Sequence, residues 1–311
     1  MSFSDHVHIL MCTYNGADFI ADQLESFARQ DHRNWSLWVR DDGSSDDTLA
    51  IVQAFRDTHP QHEVHIRQGA QDGVAMNFLT LLCDAELAQR PGFVALSDQD
   101  DVWLPHRLLR GLEALGRLPS DEPALYGSRT ILVDEDLTHR RESRPFRRPP
   151  GFANALVQNI LAGNTMLLNE PALRLLREAG PQSDIPFHDW WIYQLLAGAD
   201  ATIVADPEPA LLYRQHGSNT LGANLGRGAL QRRLSLLRNR HFKSWVDGNN
   251  AALTRNAKLL TSENAQKLET FIHRHDRNRF SSVFTLGRHG IRRQSTRQTL
   301  VLYTAFLMGR F

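Results

Sequence analysis

Val94-Ala95-Leu96-Ser97-Asp98-Gln99-Asp100-Asp101-Val102-Trp103 decides how this chain of 311 residues is read. An apolar run of strand character ends in a cluster of three carboxylates. Open α/β sheets place their ligands at the carboxyl ends of strands, so a buried strand delivering acids there marks a site. Such oxygen ligands suit a hard divalent cation that also bridges phosphates, Mg2+ or Mn2+. Taken alone, an Asp-x-Asp reads first as a polar turn capping a helix that opens near Pro105. The flanking segments therefore carry the weight.

Upstream, residues 7–12 (Val-His-Ile-Leu-Met-Cys) read as a first buried strand, ending in the turn signal Thr13-Tyr14-Asn15-Gly16. Phe19, Ile20, Leu24 and Phe27 then recur at helical spacing. Residues 35–39 form a second strand, followed by Asp41-Asp42-Gly43-Ser44-Ser45-Asp46-Asp47-Thr48, where Ser44 or Ser45 is the expected N-cap of the next helix. A short strand at 64–67, a helix opened by Gly73 and Asn77, and a strand at 93–96 complete the series. Repeated β-α units with polar residues at each strand's carboxyl end predict an α/β fold, a doubly wound and mostly parallel sheet flanked by helices. No Gly-x-Gly-x-x-Gly or Gly-x-x-x-x-Gly-Lys follows the first strand, which disfavours the usual dinucleotide fingerprint and a P-loop.

Hydrophobic residues make up 41% and charged residues 23%, the balance of an ordinary globular protein. Net charge is zero but unevenly spread. Residues 1–220 carry 18 Lys+Arg against 31 Asp+Glu, and residues 221–311 carry 17 against 4. Cys12 and Cys83 have neither disulfide nor metal spacing and read as small hydrophobes, which fits a reducing cytoplasm. The N-terminus lacks a signal-peptide layout, and no apolar run reaches the roughly 18 residues of a membrane span.

Three motifs in order, Cys12-Thr13-Tyr14-Asn15-Gly16, Asp41-Asp42-Gly43-Ser44-Ser45-Asp46-Asp47-Thr48 and Ser97-Asp98-Gln99-Asp100-Asp101-Val102-Trp103, resemble those of the inverting family 2 glycosyltransferases of GT-A fold. The resemblance spans roughly the first 220 residues. It implies a nucleotide-sugar donor across the early strand ends, with Thr13, Tyr14 and Asn15 lining the nucleotide pocket and Asp42 bonding the base. It also implies that Asp98 faces the ribose or sugar and Asp100 holds the metal on the diphosphate. Where many relatives carry a basic residue after the third strand, this chain offers Asn77 as the donor contact.

Further on, residues 159–169 look like a strand interrupted by Gly163-Asn164, a region bordering the acceptor sugar in the resembled family. Phe187-His188-Asp189-Trp190-Trp191 sets a carboxylate among aromatics. Read structurally, Asp189 caps a helix over 190–197 and the tryptophans pack. By resemblance, Asp189 is the general base, and burial beside indoles would raise its pKa. The same comparison places acceptor or sugar along Asp101, Trp103, Gly163, Asn164, His188, Trp190 and Trp191. Strands at 201–205 and 210–214 lead into Tyr213-Arg214-Gln215-His216-Gly217-Ser218-Asn219, where His216 reads as a metal ligand, a diphosphate contact or a structural residue. This pair of segments is most similar to the rhamnosyltransferase-type branch, which implies a dTDP-6-deoxyhexose donor.

Residues 140–150, with five Arg and three Pro, read as a mobile surface loop or a flap over donor phosphates. Beyond residue 220 the expectation is a basic helical extension. Leu230, Leu234, Leu237, Phe242 and Trp245 keep helical spacing among Arg232, Arg233, Arg238, Arg240 and Lys243, and helices follow at 262–273 and 296–308. Such a segment suits an anionic membrane surface, the acidic body or a second subunit, with the membrane favoured because acceptors are often lipid-linked in the resembled family. The domains expected are 1–220, catalytic, and 221–311, helical. The function expected is metal-dependent inverting transfer of a sugar to a glycan or lipid-linked acceptor, in the cytoplasm or on the membrane's inner face. A nucleotidyltransferase and a non-catalytic carbohydrate-binding protein are the alternatives. Nucleic acid is excluded as a partner by the acidic body.

Overall fold

The computed structural model describes residues 5–217, 241–273 and 278–309. The strands are β1 (Val7–Thr13), β2 (Trp35–Asp41), β3 (Val64–Gln68), β4 (Phe93–Ser97), β5 (Val102–Trp103), β6 (Ala124–Val133), β7 (Arg141–Glu142), β8 (Leu167–Leu168) and β9 (Thr202–Arg214). The helices are α1 (Ile20–Ala28), α2 (Thr48–Thr58), α3 (Val74–Leu82), α4 (Arg107–Leu115), α5 (Phe152–Ala155), α6 (Glu170–Ala179) and α7 (His188–Gly198). Four more lie beyond residue 240: α8 (His241–Arg255), α9 (Ser262–Ile272), α10 (Arg279–Arg288) and α11 (Thr296–Leu307).

One sheet runs β3-β2-β1-β4-β8-β6-β9-β5, with β7 on β6. The β1–β2, β2–β3, β1–β4 and β6–β9 pairs are parallel, while each antiparallel pair, through β5, β7 or β8, spans two residue pairs. The sheet is thus mixed in pattern but parallel along most of its paired length. β1 is apolar on both faces because both are covered: Val7, Ile9 and Met11 enter one core, Leu10 and Cys12 the other. The period-2 alternation of side chains sorts them. Order 3-2-1-4 puts the topological switch between β1 and β4, and the crevice at their carboxyl ends is where such sheets bind ligands. β5 curls back so that Trp103 meets Phe27 of α1, ring centroids 4.6 Å apart.

Four local expectations are corrected. Neither Ser44 nor Ser45 caps α2: Ser44 Oγ donates to Asp41, Ser45 N to Asn15, and the helix starts at Thr48. Extended pairing within residues 159–169 is limited to β8, because Gly163–Thr165 forms a 3-10 turn against α7. The two strands expected over 201–214 are one strand, β9, accommodated by register shifts opposite Ser128 and Arg129. The arginine-rich segment is not a free loop. Gln294 Oε1 accepts Arg147 N and Arg148 N at 2.8 and 2.9 Å, and Asn154 Nδ2 donates to Arg292 O.

The extension packs on the body. Val246, Leu253, Leu268, Phe271, Leu286, Leu302 and Phe306 join the core that contains α3, α6 and α7. No helix among the described residues is long and apolar enough to cross a membrane. Ser218, Asn219, Leu230, Arg232, Arg233, Leu234, Leu237, Arg238 and Arg240, named above, lie outside the described residues.

Candidate active site

The β1–α1 loop is held by side chains from both neighbouring loops. Tyr14 N donates to Gln99 Oε1 (2.9 Å), Asn15 N to Ser44 Oγ (2.9 Å), Gly16 N to Thr48 Oγ1 (2.8 Å) and Ala17 N to Asp46 Oδ2 (3.0 Å). Gln99 Nε2 also donates to Tyr14 O at 3.0 Å, so its amide clamps that backbone across the β1/β4 switch. A Cβ on Gly16 would overlap the Gln99 amide, so any larger residue there would displace this clamp. Amides already bonded to side chains do not form an anion cradle of the kind found at helix N-termini. A diphosphate at this edge needs its charge met by other groups.

Asp98, Asp100 and Asp101 each present an oxygen within 4.8 Å of the others. Asp101 is fully buried, accepting Asn164 Nδ2 at 2.5 Å and Arg214 N at 3.3 Å. Asp100 Oδ2 meets His216 Nε2 at 2.7 Å, and that imidazole lies on Phe19, centroids 4.6 Å apart. Arg214 braces the group, donating to Asp100 O (2.9 Å) and Asp22 Oδ2 (2.8 Å). Burial, then Asp100 and Asp189, pushes the Asp98 carboxyl up to about 8. Burial, then Asp100 and Asp98, holds Asp101 well above the usual carboxylate range. Crowded carboxylates that repel one another are the donor set a divalent cation relieves. Asp98, Asp100 and Asp101 fit Mg2+ or Mn2+, with His216 adjoining.

Asp189 sits in the first turn of α7, accepting Trp190 N (2.6 Å) and Gly163 N (3.3 Å). Burial pushes its carboxyl up to about 6, while those donors and the Asn159 side chain pull down. His188 stacks on Phe78 at 4.1 Å, and burial drops its pKa to about 3, so it is neutral. Its Nε2 has no partner among the described residues and lies where a Gly163 side chain would be. Within one turn, Gly163 N holds Asp189 and the Asn164 side chain holds Asp101. Adjacent residues thus tie the lone carboxylate to the cluster.

The other expected residues fall as follows. Thr13 donates to Asp41 Oδ1 at 2.8 Å, and Tyr14 is 55% exposed at the crevice. Asp42 accepts Gln71 N (2.9 Å) and Gly73 N (3.1 Å), pinning the loop after β3. Asn77 is buried against Arg40. Trp190 and Trp191 are core residues, Trp190 donating to Ala155 O at 2.7 Å. Trp103 is buried too, under Arg107 at 3.4 Å from its ring centroid. Gln99, Asn159, Phe19, Asp22 and Arg40 escaped the sequence reading. Only Gln99, inside the acid motif, carried a signal that could have found it.

A curled α/β sheet with an acid cluster at its switch point and a buried carboxylate facing it defines a sugar-transferring enzyme of GT-A fold. The chain belongs to glycosyl transferase family 2, whose model matches residues 8–169. It is similar to the dTDP-rhamnosyl transferase RfbG of Shigella flexneri, 29% identical over 245 residues covering 76% of this chain and 82% of that protein. Its fold is shared with S. aureus TarS 1-349 in complex with UDP-GlcNAc (17% identity, TM-score 0.54, 85% of this chain and 86% of that one). The mannosyltransferase PcManGT from Pyrobaculum calidifontis, in complex with GDP-Man and Mn2+, shares it as well (17%, 0.53, 98% and 86%). The chain is a glycosyltransferase, and the carbohydrate-binding and nucleotidyl-transfer alternatives are set aside.

Proposed function

We propose that this enzyme moves rhamnose from dTDP-rhamnose, with inversion, to a hydroxyl of a glycan or lipid-linked saccharide in surface-polysaccharide synthesis. The observation that carries the reading is the Gly163–Asn164 turn, which holds a buried carboxylate of raised basicity beside the acid cluster. Asp189 takes the proton of the acceptor hydroxyl as its oxygen attacks the anomeric carbon. The bond from that carbon to the diphosphate oxygen breaks on the opposite face, and its electron pair leaves with the nucleotide. Mg2+ or Mn2+ held by Asp98, Asp100 and Asp101, with His216 adjoining, would stabilise charge on that leaving group. Thr13, Tyr14, Asn15, Asp42 and Asn77 frame the nucleotide in this reading. Similarity to a dTDP-rhamnosyl transferase over most of both chains supports the choice of donor.

Residues 1–220 are the catalytic unit in this proposal, and the extension carries the enzyme to the inner membrane face from the cytoplasm. Residues 277–311 contain seven Arg and no acid, and the α10–α11 surface exposes Phe284, Leu300, Val301 and Met308. Arg288, Arg292 and Arg297 are exposed in the same segment, and cations beside an apolar surface suit anionic lipid. The test is release of dTDP from dTDP-rhamnose with Mn2+ and a saccharide-lipid extract, with the product's anomeric configuration opposite to the donor's. Release from UDP- or GDP-sugars alone would replace rhamnose. Flotation with vesicles containing phosphatidylglycerol, absent with phosphatidylcholine alone, checks the membrane contact.

A further inference from the structure

Arg107 opens α4, shortly after the acid motif, and is 2% exposed. Its guanidinium lies on the Trp103 ring, and one nitrogen, Nη2, donates to carbonyls of two different segments. The first is Leu96 O of β4 at 2.9 Å, just ahead of Asp98. The second is Asn164 O at 2.6 Å, in the Gly163–Thr165 turn. That turn bonds to both centres of the site, to Asp101 through the Asn164 side chain and to Asp189 through Gly163 N. Leu96 N already donates to Met166 O at 3.2 Å, so Arg107 adds a second point of attachment between strand and turn. Two points fix the turn's orientation where one leaves it free to pivot.

The charge needs its own reason. Arg110, one turn further along α4, closes an ion pair with Asp206 at 2.5 Å. Arg107 closes none among the described residues, and its Nε is buried without a partner there. Burial lowers its pKa to about 9, against Tyr126 and Asp101, which leaves it charged at neutral pH. A neutral amide could bridge two carbonyls at less cost, because a buried cation needs negative charge to offset its desolvation. The acid cluster, joined to Arg107 through Asn164, supplies that charge.

We propose that Arg107 is a positioning residue for the transfer: by clasping Leu96 to Asn164 it sets Asp189 at its working distance from the acid cluster. Attack and departure then line up across the anomeric carbon, an alignment in which a displacement of about 1 Å can cost on the order of 100-fold in rate. This rests on Asp189 acting as base and deepens that reading by naming what aims it.

The test is a double-mutant cycle on nucleotide release by the full chain with Mn2+, dTDP-rhamnose and a saccharide-lipid extract, the melting temperature showing each variant folded. Arg107→Met should lower kcat about 10- to 100-fold while donor KM stays within about threefold. Arg107→Lys, which keeps the charge and can donate to both carbonyls, should recover kcat to within about fivefold of wild type. In an Asp189→Asn background Arg107→Met should cost less than about threefold more, since no base is left to aim. Arg107→Gln, too short to span both carbonyls, serves in the same cycle if the Met variant unfolds. A folded variant with wild-type kcat overturns the proposal and leaves Arg107 a packing residue. A loss equally large with and without Asp189 also overturns it, placing the effect on the acid cluster instead. An Asp189→Asn enzyme with undiminished kcat would overturn the base reading itself.

Discussion

Two carboxylate centres face each other in this crevice, built from the same residue type and set to different chemistry. At the end of β4, burial and then the neighbouring carboxylates raise the pKa of Asp98 and Asp101, the condition a bound cation reverses. At the start of α7, burial acts on Asp189 chiefly alone, and its backbone donors keep the value near 6. Crowding suits a group to metal, and isolation suits it to protons. One turn bonds to both centres.

The contrast breaks most sharply if the metal side is removed. Chelation with EDTA, or Asp100→Asn, should cut kcat by on the order of 10^4, with Mn2+ restoring the chelated enzyme but not the variant. Asp189→Asn should lower kcat by about 10^3 while leaving donor binding and its metal dependence intact. The same variant should be more stable. Its carboxyl is raised in the fold, so the cost of ionisation is absent below the ordinary 3.8 and complete above about 6. Relieving it should add about 1–3 kcal/mol at pH 7.5 and nothing at pH 3.5, read from denaturant melts. The pH profile sharpens the point further. Because the base acts ionised, kcat/KM should fall about tenfold per unit below roughly pH 6. Smallest is Gln99→Ala, which should raise the donor KM three- to tenfold, on the order of 1 kcal/mol for a lost neutral clamp, with kcat little changed. A loss confined to kcat would show that Gln99 serves the chemistry instead.

The β-α repeats were legible because buried parallel strands must be apolar throughout and their ends must turn through polar residues. The strands expected at 7–12 and 35–39 show it, found as the wholly buried β1 and β2. Ser44 and Ser45 misled because a serine before a helix has two local uses. Here the demand of the β1–α1 loop for acceptors outweighed capping. Trp190 and Trp191 read as easily as sugar platforms as core, and burial alone separates the two.

The order of elements, the acid motif, the aromatic setting of Asp189 and the charge split between body and tail were determined by the sequence, since each is local or compositional. Only the tertiary structure decided which groups meet. Gln99 reaches Tyr14 across 85 positions, His216 reaches Asp100 across 116, and Asn164 reaches Asp101 across 63. Such pairings depend on how strands order in the sheet, and strand order leaves no periodic trace along the chain.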